Sequence, residues 1–326
     1  MVAHERIRTL LLAAGLGLLG AGCHPDTPVL EKDMDVSVEE FQRINRAWRE
    51  RRLERLTAPY GWLSLTGLHF LDPGRYRLGS DPDCDIGLDR GPALWGELVV
   101  GDDGQVRFEA APDADVRLEG KPIEAVELSA DGPDGPTTLE ADRIRIHLVR
   151  AGDRVALRVR DPEAPSRRQF AGLDYYPLDP GWRVRARLEA HPPGTTLKIA
   201  NVLGQLIDEP NPGRVVFQYD GKTHALEAVE EDGRLFFIFA DRTSGSETYG
   251  LGRFLYADWP VDGEVVLDFN QAYNPPCAFN EFTTCPLPPQ SNRIDEWVRA
   301  GERRYEGPPG VVHPKPVPPV LVDRKR

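Results

Sequence analysis

Sulfur and imidazole are scarce in this chain: its 326 residues include 4 cysteines, 2 methionines and 7 histidines. So thin a supply excludes a protein organised around repeated zinc modules or a dense disulfide framework. A positive charge excess is also missing, because 52 acidic residues outnumber 40 basic ones and leave a formal net charge of −12. Binding to nucleic acid depends on cations that neutralise phosphates, so this balance excludes nucleic acid as a partner. No apolar run reaches the roughly 20 residues that a membrane-spanning helix needs. The Gly-x-Ser-x-Gly, Ser-x-x-Lys, His-Glu-x-x-His, P-loop and Cys-x-x-Cys patterns are absent, and nothing in the sequence implies a cofactor or a resident metal.

What is abundant are turn residues, 31 glycines and 30 prolines, beside 40% apolar residues. That mixture predicts a packed core built from short elements. The N-terminus reads as an address. Arg6 and Arg8 precede an apolar run from Thr9 to Leu19, and Gly20, Ala21 and Gly22 lead directly to Cys23. Residues 1–22 are expected to be a signal peptide removed ahead of a lipid-modified Cys23, so that acyl chains hold the mature protein on a membrane outside the cytoplasm. Gly15, Gly17 and Gly20 spell a GxGxxG, but no strand precedes it, so no dinucleotide site follows.

Residues 23–36 are polar, contain Pro25 and Pro28, and read as a tether. Ser37 with Glu40 forms a capping box that opens an amphipathic helix over residues 37–58. Phe41, Ile44, Trp48, Leu53 and Leu56 are expected on its docked face, and the five arginines between Arg46 and Arg55 on a solvated one. Beyond Tyr60 short β-rich runs alternate with Asp, Gly and Pro, as in Arg143-Ile-Arg-Ile-His-Leu-Val and Trp182-Arg-Val-Arg-Ala-Arg-Leu. The expected fold is mainly β, with two antiparallel β units of sandwich or barrel type at residues 59–160 and 169–305. Asp161 to Arg168 marks the boundary between them. A short C-terminal helix is expected from Ser291 to Ala300, with Ile294, Trp297 and Val298 on one face and Gly301 closing it. Residues 306–326 form a Pro-rich tail.

Polar chemistry concentrates between Asp241 and Glu302. Asp268 and Glu247 are the candidate general bases there. Arg253, Tyr249, Asn270, Tyr273 and Asn274 are the candidate ligand-binding side chains, although the asparagines equally suit the pinning of a loop too rich in proline to bond itself. Arg253 and Asp268 fall on strands expected to be neighbours, so an ion pair between them competes with an anion site. Cys277 and Cys285 bracket seven residues, which favours a disulfide staple in an exported chain. A reactive thiol and a metal site are the alternatives, with His69, His147 or His191 able to approach only through the fold. Cys84 would then stay unpaired.

Two resemblances accompany these residues. Gly74-Arg-Tyr-Arg-Leu-Gly-Ser80 followed by Cys84-Asp-Ile-Gly-Leu88 resembles the opening of a forkhead-associated domain, a β-sandwich whose family binds phosphothreonine peptides. Ser80 stands where that family has its arginine and the Ser-x-x-His is absent, so the resemblance implies the shape without phosphopeptide binding. Gly61-Trp-Leu-Ser-Leu-Thr-Gly67, Phe170 to Pro177, Asp241 to Gly250 and above all Asp268 to Pro289 resemble domain of unknown function family 1684, a bacterial and archaeal family without an assigned reaction.

Three functions fit: a lipid-anchored module binding a small polar or anionic ligand, a carboxylate-based hydrolase, and a structural envelope protein. The address is directly testable. Mass spectrometry of membrane-extracted protein should find an acylated N-terminal Cys23, and Cys23→Ala should release the protein from membranes. Wild-type protein recovered free of membranes and unacylated would contradict it.

Overall fold

A computed structural model describes residues 36–130, 135–152 and 154–307. The signal peptide, Cys23, nearly all of the 23–36 tether and all but the first two residues of the 306–326 tail lie outside the described residues. Among those described, no helix is long and apolar enough to cross a membrane.

The helix Val38–Thr57 starts where the capping box puts it, with Ser37 Oγ accepting from the Glu40 N–H at 3.2 Å. Its docked face differs from the apolar pattern. Phe41, Asn45, Arg52 and Leu56 are buried, whereas Leu53 is exposed. Two polar side chains therefore lie where the periodicity expects Ile44, Trp48 and Leu53. The arginines do not all face water either: Arg52 is buried, and Arg49 donates to the Tyr176 carbonyl at 3.1 Å.

The protein is mainly β, in several antiparallel sheets, none of which closes into a barrel among the described residues. In the first unit a six-stranded sheet centred on Ile144–Ala151 and Arg154–Arg160 faces a five-stranded sheet that includes Gly74–Gly79, Gly96–Val100 and Val106–Ala110. The alternation of those strands delivers Ile146, Leu148, Leu157 and Val159 from one side and Leu78, Leu98, Val106 and Phe108 from the other into one core, a sandwich. The opposite face of the six-stranded sheet carries His147, paired across the ladder with Arg158, and Arg160, paired with Arg145.

In the second unit the four-stranded sheet runs in the order Lys222–Glu227, Gly213–Tyr219, Arg183–Ala190, Glu264–Asp268. A three-stranded sheet of Val229–Glu231, Arg234–Phe239 and Arg253–Ala257 packs on it. Arg234–Phe239 is apolar on both faces, and both are covered: Leu235, Phe237 and Phe239 enter the main core, while Phe236 and Ile238 enter a second one with Ile199, Phe254 and Cys285.

The expected C-terminal helix does not form. One 3-10 turn, Gln290–Asn292, is followed by an irregular segment with neither helix nor strand. Its backbone bonds go outward: the Ile294 N–H donates to the Ala240 carbonyl at 2.8 Å, and the Arg242 N–H donates to the Glu296 carbonyl at 2.9 Å. Ile294, Val298 and Ala300 are buried in the main core while Trp297 is 43% exposed, an arrangement no single helix face provides. Gly301 is not a helix cap. At φ +80° it sits so close to the Phe269–Ala272 turn that a Cβ would fall 2.4 Å from the Ala272 carbonyl oxygen.

Candidate functional site

The polar cluster is built around Arg253, whose strand turns its side chain into the body of the second unit at 0% exposure. A guanidinium so placed must find acceptors for its N–H groups or forfeit several kcal/mol. Nη2 donates to Asp241 Oδ2 at 2.9 Å and to the Val298 carbonyl at 2.8 Å, and Nη1 donates to the Ala300 carbonyl. The expected partner was Asp268, but Arg253–Ala257 and Glu264–Asp268 belong to different sheets. Asp268 instead lies opposite Arg183 in the ladder, with Arg183 Nη1 at 3.6 Å, and accepts from Asn45 Nδ2 at 3.0 Å.

A second knot joins the N-terminal helix to the loop after Asp268. Arg52 Nε donates to Glu302 Oε1 at 2.8 Å, Arg52 Nη2 donates to the Asn274 carbonyl at 3.0 Å, and Glu302 Oε2 accepts the Asn274 N–H at 2.8 Å. Tyr273 lies beneath that guanidinium, 4.6 Å from ring centre to Arg52 Cζ, and burial pushes its phenol well up. Asn270 bonds the Asp179 backbone in both directions, at 2.9 Å each, and Asn274 Nδ2 donates to the Arg303 carbonyl at 2.7 Å. These asparagines thus pin the loop.

Glu247 accepts from the Tyr176 hydroxyl at 2.7 Å and pairs with Arg299 at 2.7 Å, and the Arg299 hydrogen bonds hold its carboxyl below the usual range. That is the wrong direction for a general base working near neutrality. The described carboxylate that moves upward is Glu231, raised by desolvation and bonded to the Tyr256 hydroxyl, a residue outside the sequence candidates.

Tyr249 donates from its hydroxyl to the Cys277 carbonyl at 3.2 Å, which brings it to the thiol loop. Cys277 and Cys285 are both free thiols here. The Cys277 N–H donates to Cys285 Sγ at 3.1 Å, and Thr283 Oγ1 lies 2.7 Å from Cys277 Sγ and 3.6 Å from Cys285 Sγ. Across from this loop stands the outer face of the six-stranded sheet. Asn280 Nδ2 donates to the Trp62 carbonyl at 2.8 Å, the Trp62 ring lies 5.3 Å from Arg158 Cζ, and the Cys285 and Cys277 thiols are close enough to act on the Arg158 charge. Arg158 is 8% exposed, and among the described residues it has no carboxylate partner and its Nε is unbonded. Arg160 beside it donates to the Tyr60 and Gly61 carbonyls and has no carboxylate partner among the described residues, and burial pulls its guanidinium down to about 10. His147 is pushed down to about 4 by burial and then by Arg160 and Arg158.

Known proteins can now be set beside this geometry. The family model described as "Protein of unknown function (DUF1684)" matches residues 168–303. An uncharacterized protein of Haloarcula marismortui, solved by solution NMR, is 34% identical over 44% of this chain and 82% of its own, with a TM-score of 0.36. The chain belongs to that DUF1684 family. A crystal structure of Rad53 residues 1–466 with AMP-PNP is 12% identical over 60% of this chain and 46% of its own, with a TM-score of 0.14. No curated protein matches. The family match contains Arg253, the pinned loop and both thiols, whereas Arg158, Arg160 and His147 precede it.

Because Arg253 ties the C-terminal segment to the core, Arg253→Gln should cost about 3–5 kcal/mol by orphaning Asp241. The melting temperature should fall on the order of ten degrees. A variant melting within two degrees of wild type would show that the guanidinium is not structural.

Proposed function

We propose that this is a lipid-anchored, extracytoplasmic protein that binds a small anion at the junction of its two β units, with Arg158 as the charge partner. The observation that carries the reading is the missing counter-ion. Arg253 has Asp241, Arg52 has Glu302 and the half-buried Arg183 has Asp268, while Arg158, 8% exposed, has no carboxylate partner among the described residues. Removing a guanidinium from water without a counter-ion or hydrogen bonds costs several kcal/mol, and such a cost persists where a ligand repays it. The neighbours add to the need, since Arg160 is a second cation and His147 resists protonation. Carboxylates, phosphates and sulfates share the chemistry that a guanidinium recognises.

The structural-envelope reading draws on a different observation, the network around Arg253 and Glu302, which engages both Asn270 and Asn274 with backbone and leaves Asn274 Oδ1 and Arg253 Nε as its unbonded atoms. The hydrolase reading has less support, because Asp268 and Glu247 are both committed to ion pairs. The Cys277–Cys285 staple remains a proposal for the oxidising compartment that the N-terminus implies.

Thermal unfolding of the purified full-length protein with inorganic phosphate, sulfate, citrate and succinate tests the anion site. At least one should raise the melting temperature, and Arg158→Gln should abolish that rise without lowering the ligand-free value. Histidine NMR supplies a second readout. His147 is neutral in the fold and titrates near 4, below its ordinary 6.5, so the unfolded chain binds more protons between those values and stability falls as pH drops through that window. A bound anion should move the His147 titration upward and lessen that loss. If no anion shifts either signal, or Arg158→Gln melts many degrees early without ligand, the reading fails.

A further inference from the structure

The thiol loop has a polarity that a plain staple does not need. Cys285 is buried, and its S–H donates to Thr283 Oγ1 at 3.6 Å. Having accepted there, the Thr283 hydroxyl is free to donate its own proton to Cys277 Sγ, 2.7 Å away. The chain of donors thus runs from Cys285 through Thr283 and ends on Cys277, the half-buried sulfur of the two. An acceptor at the end of such a chain is best served by a thiolate, because hydrogen bonds to a charged group are roughly twice as strong as neutral ones. Arg158, buried and without a carboxylate, lies on the other side of the junction within electrostatic reach of both sulfurs.

We propose that Cys277 and Cys285 form a redox-active dithiol, in which Cys277 attacks a hydroperoxide and Cys285 resolves the product. The Cys277 thiolate attacks one peroxide oxygen. A sulfur–oxygen bond forms and the oxygen–oxygen bond breaks, giving Cys277 sulfenic acid and an alkoxide or hydroxide, which takes up the proton that the thiol gave to solvent and leaves as alcohol or water. Cys285 then attacks the sulfenic sulfur. The disulfide bond forms, the sulfur–oxygen bond breaks, and the hydroxyl leaves with the Cys285 proton as water. The two sulfurs lose two electrons and the hydroperoxide gains them.

Several features of the site suit these steps. The Cys277 thiol is lowered to about 7, chiefly by its hydrogen bond with Cys285 and also by Thr283, while burial raises Cys285 well above its ordinary value. At neutral pH one sulfur is therefore ionised in about half of the molecules while its partner keeps its proton, the division of labour that attack and resolution require. The groups facing the pair are Thr283, the Tyr249 phenol and the Arg158 guanidinium. Tyr249 stays protonated, since burial pushes its phenol upward, so no competing negative charge approaches the thiolate. Cys277 is only partly buried whereas Cys285 is buried, so the attacking sulfur is the more reachable of the two.

Cys84 is the internal control. It lies in the first unit, and desolvation raises its thiol despite the nearby Arg77 charge, so its net shift runs opposite to that of Cys277. The purified, fully reduced full-length protein is treated with one equivalent of hydrogen peroxide or cumene hydroperoxide at pH 7, quenched with iodoacetamide and mapped by mass spectrometry. Cys277 and Cys285 should appear as one linked pair while Cys84 alkylates, with Cys277 reacting at least tenfold faster than Cys84. In Cys285→Ser, dimedone should label Cys277 as the trapped sulfenic acid, and Thr283→Val should slow the first step several-fold and move its pH profile upward. Equal rates at Cys277 and Cys84, or dimedone labelling confined to Cys84, would overturn the proposal. Cys277→Ser separates it from the anion reading, since that variant should lose the peroxide reaction and keep the anion-dependent rise in melting temperature.

Discussion

A guanidinium with no access to water dictates much of the second unit. Arg253 places its Nη groups on acceptors, recruiting Asp241 together with the carbonyls of Val298 and Ala300, and leaves Nε unbonded. Carbonyls engaged this way point at a side chain instead of along a helix axis, so residues 293–305 form no helix. That path brings Glu302 under the N-terminal helix, where Arg52 meets it, and the same carboxylate holds the Asn274 N–H. Helix docking, the pinning of the Pro-rich loop and the course of the C-terminal segment are thus successive consequences of one buried charge. Such a network is weak evidence for net stability, because desolvation offsets most of its attraction, but breaking any member leaves an unpaired charge.

The parts legible in the sequence were those set by local rules. The Ser37 capping box fixed the helix start, and alternation around Arg143 to Val149 and Trp182 to Leu188 marked strands with one apolar face. Mainly antiparallel β structure followed from short runs between turn residues. What was not legible depended on what covers the other face. The arginines at 49 and 52 look solvated in a helical projection, yet the second unit lies over them. Ile294, Trp297 and Val298 suit a helix by spacing, but side-chain bonds from Arg253 compete for the carbonyls that a helix would use. Asp268 and Arg253 were paired by order along the chain, whereas the ladder register gives Asp268 to Arg183. Within the polar cluster, the residues nominated for binding are engaged with one another or with backbone.

The junction was the least visible region, because neither unit alone contains it. His147 and Arg158 alternate outward from the sandwich core, which in an isolated sheet means solvent. In this protein the loop of Cys277, Asn280 and Cys285 approaches that face, and Arg158, flanked by Arg160 and His147, comes within electrostatic reach of two thiols with no carboxylate partner among the described residues. The family match supplies the thiol side of the seam, and residues preceding it supply the cations. A functional reading of this chain therefore rests on the contact between its two units as much as on the family-matched unit.

Native-state hydrogen exchange of the C-terminal segment tests most directly the claim that Arg253 makes it part of the core. The amides of Ile294 and Glu302, bonded to the Ala240 and Ala272 carbonyls at 2.8 Å each, should exchange only through global unfolding, with the same protection as those of the central strand Arg234–Phe239. Exchange of those two amides orders of magnitude faster than the strand, through local detachment of residues 293–305, would contradict the account.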